Sequence, residues 1–207
     1  MMLLIKNAQV YAPEPLGRRD ILAAEGRIVA MAEGIDPSHF PCPVESLDAE
    51  GLIALPGLID SHVHILGGGG EGGYATRTPE LRLSDCARAG VSTVIGTLGT
   101  DGVARSMEAL VAKAYALRAE GISAWIYSGS YRVPPQTVTG DLMKDIMMIE
   151  PIIGLGELAI SDHRSSHPSL DELARLCSEA RVGGLLSGKA GVVNFHLGDA
   201  PAGLAPL

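Results

Sequence analysis

The sequence has few cysteines and no long apolar segment, and each shortage excludes a class of protein. The three cysteines among 207 residues, Cys42, Cys86 and Cys177, are an odd number without metal-like spacing. They indicate reduced thiols rather than a disulfide scaffold. No apolar run approaches the length of a membrane span, and Lys6 interrupts an apolar start that is too short for a signal peptide. We therefore expect a cytoplasmic protein that does not bind membranes.

Positive charge is also scarce. Lysine and arginine total 16 against 24 acidic residues, which gives a formal net charge of −8. This balance argues against a nucleic-acid partner, because binding to nucleic acid needs a basic patch that neutralises phosphates. It suits a protein that holds cations, although it does not require one. With 46% hydrophobic residues, the chain has enough apolar surface to bury a core.

The first 54 residues have the pattern of short strands. Residues 20–24 and 27–31 are apolar segments separated by Glu25-Gly26, which predicts a hairpin. Residues 34–45 carry three prolines and are predicted to be a loop. We expect residues 1–54 to form part of a small β module.

From residue 55 onward the pattern changes to alternating strands and helices. Strands are predicted at 52–59, 91–96, 123–127, 151–157 and 191–196, and helices from Thr78-Pro79 to Gly90, at 103–120, at 141–149 and at 169–181. This order predicts an α/β fold with a parallel sheet. A (β/α)₈ barrel needs eight units and typically about 250 residues. With about five strands, residues 55–207 are either part of such a barrel or an open sheet.

Residues with metal-binding chemistry follow several of these strands. His62 and His64 are two residues apart at the end of an apolar run, so in a strand they point the same way and could hold one divalent metal. Glu157 and His196 lie at the ends of the fourth and fifth predicted strands. In a barrel these ends meet at one mouth, where three imidazoles and a carboxylate fit a zinc-type site. The alternative to a metal site is that His62 and His64 are a coincidental or structural pair. We expect His163, in a loop, to make structural hydrogen bonds.

The residues around these histidines resemble a known superfamily. Leu55-Pro56-Gly57-Leu58-Ile59-Asp60-Ser61-His62-Val63-His64 resembles the first-strand motif of the amidohydrolases, metal-dependent hydrolases on a distorted (β/α)₈ barrel with a small β-sandwich. Five further stretches resemble its isoaspartyl (β-aspartyl) dipeptidase family: residues 67–71, 96–101, 121–125, 161–165 and 181–186. The resemblance runs from about Leu4 to Asp199. It implies part of the β-sandwich at 1–54 and a truncated partial TIM-like barrel at 55–207.

The resemblance implies a site with two divalent metals and a hydroxide that bridges them. Zinc is the metal that we expect. His62 and His64 would bind the more buried metal, and His196 would bind the second. In many relatives a carboxylated lysine bridges the metals, and the matching residue here is Glu157. Glutamate supplies the same two oxygens and the same negative charge, so we expect a site that assembles without carbon dioxide.

The resemblance also implies residues that bind a dipeptide substrate. Tyr131 would donate a hydrogen bond to the oxyanion that develops during hydrolysis. Glu71 would pair with the free α-ammonium of an isoaspartyl residue, and Arg164 would hold a substrate carboxylate. Groups around Gly69, with Thr100, would complete the cradle. Read alone, each of these residues is more simply an ordinary loop residue.

Two features of the family have no counterpart in these 207 residues, namely a histidine after the sixth strand and an aspartate after the eighth. We therefore expect the chain alone to bind metal poorly and to be inactive. By analogy with relatives, which form homo-oligomers, we expect a homo-oligomer when the protein is full length. Two alternatives stay open. One is a cyclic-amide hydrolase of the dihydroorotase or hydantoinase kind, and the other is an inactive remnant that acts as a binding or assembly module.

Overall fold

The computed structural model describes residues 2–207, which divide into one compact unit that ends at Gly57 and a second at Leu58–Leu207. The division predicted between residues 54 and 55 lies near this boundary, and as a statement about separate domains it stays a prediction. The first unit is a five-stranded sheet in the order β3-β2-β1-β4, in which β5 also pairs with β1. Its strands are β1 (Met2–Tyr11), β2 (Pro15–Ala24), β3 (Arg27–Ala32), β4 (Val44–Asp48) and β5 (Ile53–Ala54).

The first unit has a small core and the predicted hairpin. Strands β2 and β3 pair antiparallel on either side of Glu25-Gly26, and both turn residues have positive φ. Four buried residues form the core: Ala8, Val10, Ile21 and Ala49. The segment predicted as a loop at 34–45 contains a 3₁₀ turn at Pro37–His39, and its last two residues already belong to β4.

The second unit is a curled sheet of five parallel strands that follow one another in chain order, with helices between them. This arrangement confirms the partial (β/α)₈ barrel rather than an open sheet. The strands are β6 (Leu58–Val63), β7 (Val91–Gly96), β8 (Ser123–Ser128), β9 (Ile152–Ile160) and β10 (Val192–Leu197). The helices are α1 (Leu83–Ala89), α2 (Met107–Glu120), α3 (Leu142–Met148) and α4 (Leu170–Ser187), with a 3₁₀ turn at Tyr74–Thr76.

Two predicted helix starts were wrong because side chains there have other partners. Helix α1 begins at Leu83 rather than at Thr78-Pro79. Thr78 instead pairs with the glycine run, since its backbone N–H donates to the Gly68 carbonyl at 3.0 Å and its hydroxyl accepts from the Gly68 N–H at 2.7 Å. Helix α2 begins at Met107 rather than at residue 103, because the Ser106 hydroxyl caps it.

Helix α4 continues past residue 181, where the sequence pattern predicted its end, because two glycines allow close packing. Gly183 and Gly184 are buried inside the helix. A Cβ at Gly184 would lie 2.5 Å from the Gly191 Cα. The helix therefore approaches the segment before β10 more closely than a side chain would allow.

The described part of the chain contains neither a disulfide nor a helix that could span a membrane. Cys42, Cys86 and Cys177 are all free. Within residues 2–207, no helix combines the length and the apolarity that crossing a bilayer requires.

Candidate functional site

The barrel strands bring the predicted metal-binding residues to one end of the sheet. The strand predicted at 52–59 is wrong in its bounds, because residues 53–54 form β5 of the first unit and the barrel strand β6 covers Leu58–Val63. His62 therefore lies inside β6, and His64 directly follows it. Glu157 does not end its strand, as the sequence predicted, but lies inside β9, and His196 likewise lies one residue before the end of β10. The pairing register between β9 and β10 shifts there, since Asn194 pairs with Gly156 and Phe195 with Leu158. Glu157 therefore occupies a bulge, which turns its side chain to a new direction.

Three side chains form a group that could hold a metal ion. The ligand atoms of His62, His64 and Glu157 all lie within 4.8 Å of one another. The two rings meet edge to face, with their centroids 5.6 Å apart. His62 Nε2 lies 3.2 Å from Glu157 Oε2, but without the angles of a hydrogen bond. In the part of the chain that the structure describes, the buried atoms His64 Nδ1 and Glu157 Oε2 have no hydrogen-bond partner. Two imidazoles and a carboxylate with such free atoms suit a divalent cation.

Burial favours the metal-binding form of His64. Desolvation lowers the pKa of this imidazole, an effect that the charge of Glu157 opposes. The neutral ring that results is the form that binds metal. The ring packs closely against two glycines that leave room for it. A Cβ at Gly99 would lie 2.4 Å from His64 Cε1, and one at Gly68 would lie 3.3 Å from His64 Cδ2.

We expect Gly99→Ala to displace His64 and to weaken zinc binding by about 10-fold, the lower end of the range for residues that orient metal ligands. The matched control is Gly90→Ala. Gly90 has a φ of +70°, close to the +73° of Gly99, but a Cβ there meets nothing within 4 Å. Both variants therefore carry similar backbone strain, and only one carries the clash. Zinc titration calorimetry measures the difference, and equal affinities for the two variants would refute the role of Gly99.

His196 lies outside the group of three but connects to it through Glu157. Its Nδ1 is 2.7 Å from Glu157 Oε1 and 2.9 Å from the Tyr131 hydroxyl. The two oxygens of Glu157 thus face one histidine each, His196 on one side and His62 on the other. The other nitrogen of His196 lies 3.1 Å from Asp162 Oδ2, so protein atoms surround both ring nitrogens.

Asp162 is a residue of the site that sequence reasoning missed. Its side chain is 1% exposed, and it accepts from the backbone N–H, Nε and Nη2 of Arg164 at 2.7, 2.9 and 2.6 Å. The Arg164 guanidinium holds the pKa of this carboxyl well below its usual range. A sequence pattern that could have indicated this role is the pair Asp162 and Arg164, an acidic and a basic residue two positions apart just after a strand. His163 between them is exposed.

The predicted substrate-binding charges contact each other. Glu71 Oε1 accepts from the Thr100 hydroxyl at 2.6 Å and from Arg164 Nη1 at 2.8 Å. These two hydrogen bonds lower the pKa of Glu71. The Arg164 guanidinium also lies 5.1 Å from the ring centre of Tyr131, whose own pKa is raised, mainly by burial. The predicted anion and cation are thus already paired and charged.

One cavity of about 260 Å³ brings the predicted substrate-binding residues together. All five of them line it, together with one of the two first-strand histidines. The remaining lining residues come from the glycine run and from the loop after β7. The full set is His64, Gly68, Gly69, Glu71, Leu98, Thr100, Asp101, Arg105, Tyr131 and Arg164.

Comparisons with curated proteins find relatives among the cyclic-amide hydrolases. No protein-family model matches the chain. Over 107 residues it is 36% identical to dihydroorotase from Staphylococcus aureus strain Mu50, an alignment that covers 52% of this chain and 24% of that enzyme. A dihydroorotase from Syntrophus aciditrophicus is 33% identical over 100 residues. The chain thus aligns with about a quarter of these relatives' length.

Comparisons with solved structures find a more extensive match. L-Hydantoinase from Arthrobacter aurescens superposes with a TM-score of 0.60 at 21% identity over 94% of this chain and 40% of that one, which supports the fold alone. β-Aspartyl dipeptidase from Fervidobacterium islandicum AW-1, in complex with β-Asp-Leu, superposes with a TM-score of 0.94 at 55% identity. That match covers all of this chain and 53% of the dipeptidase. The resemblance seen in the sequence is thereby confirmed: over its whole length the chain is similar to β-aspartyl dipeptidases of the amidohydrolase superfamily, and it spans just over half of one.

Proposed function

We propose that this chain forms much of the active site of a metal-dependent hydrolase that cleaves the isopeptide bond of β-aspartyl dipeptides. One observation carries the proposal. The cavity that Glu71, Arg164 and Tyr131 line also contains His64, so the charges that would recognise a substrate lie beside the potential metal ligands. The 55% identity to a dipeptidase in complex with β-Asp-Leu supports the same substrate class.

The substrate is matched by its charges. An isoaspartyl residue keeps a free α-ammonium and a free α-carboxylate, because its peptide bond runs through the side chain. In the proposed complex, Glu71 accepts hydrogen bonds from the ammonium, and Arg164 donates to a carboxylate from Nη1, since its Nε and Nη2 already donate to Asp162. Thr100 and the backbone around Gly69 complete the cradle.

The proposed mechanism divides the work between ions and protein. Two divalent ions, such as zinc, held by His62, His64, Glu157 and His196 would supply an activated water and polarise the scissile carbonyl. Tyr131 would donate its hydroxyl hydrogen to the oxyanion, because burial keeps this phenol protonated. Glu157, with Oε2 facing His62 and Oε1 facing His196, would supply the negative charge of this set of ligands.

Because we expect weak metal binding by the chain alone, the test uses zinc in excess. Under this condition we expect the chain to bind β-Asp-Leu at least about 10-fold more tightly than α-Asp-Leu, a difference of about 1.4 kcal/mol. Both isomers carry one ammonium and two carboxylates, so only the spacing of these charges differs. Titration calorimetry is the readout, because it measures binding of the two isomers without requiring turnover. Glu71→Gln should remove the preference, and equal binding of the isomers by the parent chain would contradict the proposal.

Dihydroorotase-like activity is the second candidate, since the 36% identity to dihydroorotases favours it. Cyclic amides such as dihydroorotate and hydantoins lack a free ammonium, so they would leave Glu71 without a ligand partner. Adding dihydroorotate to the same titrations separates the candidates. Tighter binding of dihydroorotate than of β-Asp-Leu would select this alternative, and binding of neither would indicate a non-catalytic remnant.

A further inference from the structure

Arg105 is a buried charge that the proposed chemistry does not use. Its side chain is 6% exposed, and it precedes helix α2 at the end of the loop that follows β7. Its Nη2 donates to the Gly68 carbonyl at 2.9 Å, and its Nε donates to the Leu66 carbonyl at 3.3 Å. Arg105 thus connects the loop after β7 to the loop after β6.

Asp101 fixes the orientation of this guanidinium. Its Oδ2 lies 3.4 Å from Arg105 Nη1 and 3.1 Å from Arg77 Nη1. Its Oδ1 accepts from the backbone N–H groups of Val103 and Ala104 at 3.1 and 2.8 Å. These hydrogen bonds hold the carboxylate, and the carboxylate in turn compensates a buried charge that would otherwise be costly.

The two carbonyls that Arg105 binds belong to the segment between the metal-binding and substrate-binding residues. Gly68 packs against the ring of His64, and Glu71 follows three positions later. We propose that Arg105 is a positioning residue that holds residues 66–70, and so aligns His64 with Glu71 across the cavity. The effect on ligand binding rests on the proposed function. The restraint of residues 66–70 by Arg105 does not, and it can be measured without any activity.

The geometry favours positioning over direct contact with a ligand. All three nitrogens of the guanidinium already face protein atoms, which are the two carbonyls and the Asp101 carboxylate. A guanidinium with several N–H donors in fixed directions serves three acceptors at once better than a flexible ammonium does. Lysine at this position would reach one carbonyl at a time, and we expect it to restore only part of the restraint.

Hydrogen–deuterium exchange measured by mass spectrometry tests the restraint in the complete 207-residue chain. We expect Arg105→Met to raise exchange in peptides that cover residues 65–70 and 76–81 by about 10-fold or more, because Gly68 also pairs with Thr78. Arg105→Lys should give an intermediate increase. Arg118→Met is the matched control, since Arg118 also donates to a backbone carbonyl, that of Ala124 at 2.6 Å, far from this segment.

Two outcomes would overturn the proposal. One is unchanged exchange at 65–70 in Arg105→Met, and the other is an equal increase in Arg118→Met. If Arg105→Met does not fold, Asp101→Asn loosens the same guanidinium and must raise exchange in the same peptides. Titration with β-Asp-Leu forms a separate arm, in which we expect Arg105→Met to weaken binding about 10-fold. Failure of the parent chain to bind any dipeptide would refute the proposed function and leave the exchange result to decide the restraint.

Discussion

Replacing Asp145 by leucine is expected to lower the free energy of unfolding by about 3–5 kcal/mol, since buried donors would lose their acceptor. Asp145 lies in α3 and is completely buried. Its carboxylate accepts from the Ser128 hydroxyl at 2.7 Å, from the backbone N–H groups of Val138 and Thr139 at 2.9 Å each, and from the Thr139 hydroxyl at 2.7 Å. It therefore fastens the loop after β8 to the end of that strand, three residues before Tyr131.

Urea unfolding followed by circular dichroism measures this loss. Asp145→Asn keeps the side-chain volume but turns an acceptor into a donor, so we expect an intermediate loss of about 2 kcal/mol. The control is Asp171→Asn on the exposed first turn of α4, for which a change within about 0.5 kcal/mol is expected. A loss below about 1 kcal/mol in Asp145→Leu would show that water replaces the carboxylate at little cost.

Replacing Glu157 by glutamine is expected to weaken zinc binding by about 100-fold or more, because the substitution removes the charge of the only carboxylate in the group of three. Glutamine keeps the volume of a side chain that is 1% exposed, so a loss of affinity reports the charge rather than the packing. Zinc affinity is measured by competition with a chromophoric chelator. Near-parental affinity in Glu157→Gln would exclude Glu157 as a ligand.

Bicarbonate provides a sharper test at the same position. If Glu157 takes the place of a carboxylated lysine, zinc uptake by the parent chain should not change when bicarbonate is added. Glu157→Lys should bind zinc weakly without bicarbonate and recover at least 10-fold in affinity with it, since the lysine could then form a carbamate with the same negative charge. Bicarbonate-dependent zinc uptake by the parent chain would contradict the bridging role proposed for Glu157.

The strand–helix order of the second unit could be predicted from sequence because short apolar runs mark its strands, and the spacing of apolar residues or the capping residues mark its helices. Strand β7 matches its predicted bounds, and glycines mark the ends of α1 and α2. The errors lie where tertiary contacts override local signals. Thr78-Pro79 has the composition of a helix start but pairs with Gly68 instead, and Gly183-Gly184 suggests a helix end but serves close packing inside α4.

The candidate site was predictable in its parts and not in its connections. Histidines at strand ends follow from the barrel topology, which predicted that His62 and His64 would lie near Glu157. Asp162 and Arg105 were missed because isolated loop charges carry no periodicity. Their partners lie two to thirty-nine positions away in the chain, and only the folded structure shows that they are buried.

Glu71 and Arg164 already form an ion pair with each other, so a charged ligand that binds them must replace that pair. A ligand that binds both groups replaces Arg164 on Glu71 and Glu71 on Arg164. A ligand with a single charge replaces only one of them and leaves Arg164 with Asp162 alone or Glu71 with Thr100 alone. A dipole with both charges restores both contacts and changes the number of ion pairs little. Because dissolved salt weakens the internal pair and the ligand pairs alike, the affinity for such a zwitterion should depend only weakly on ionic strength, despite the charge of the site.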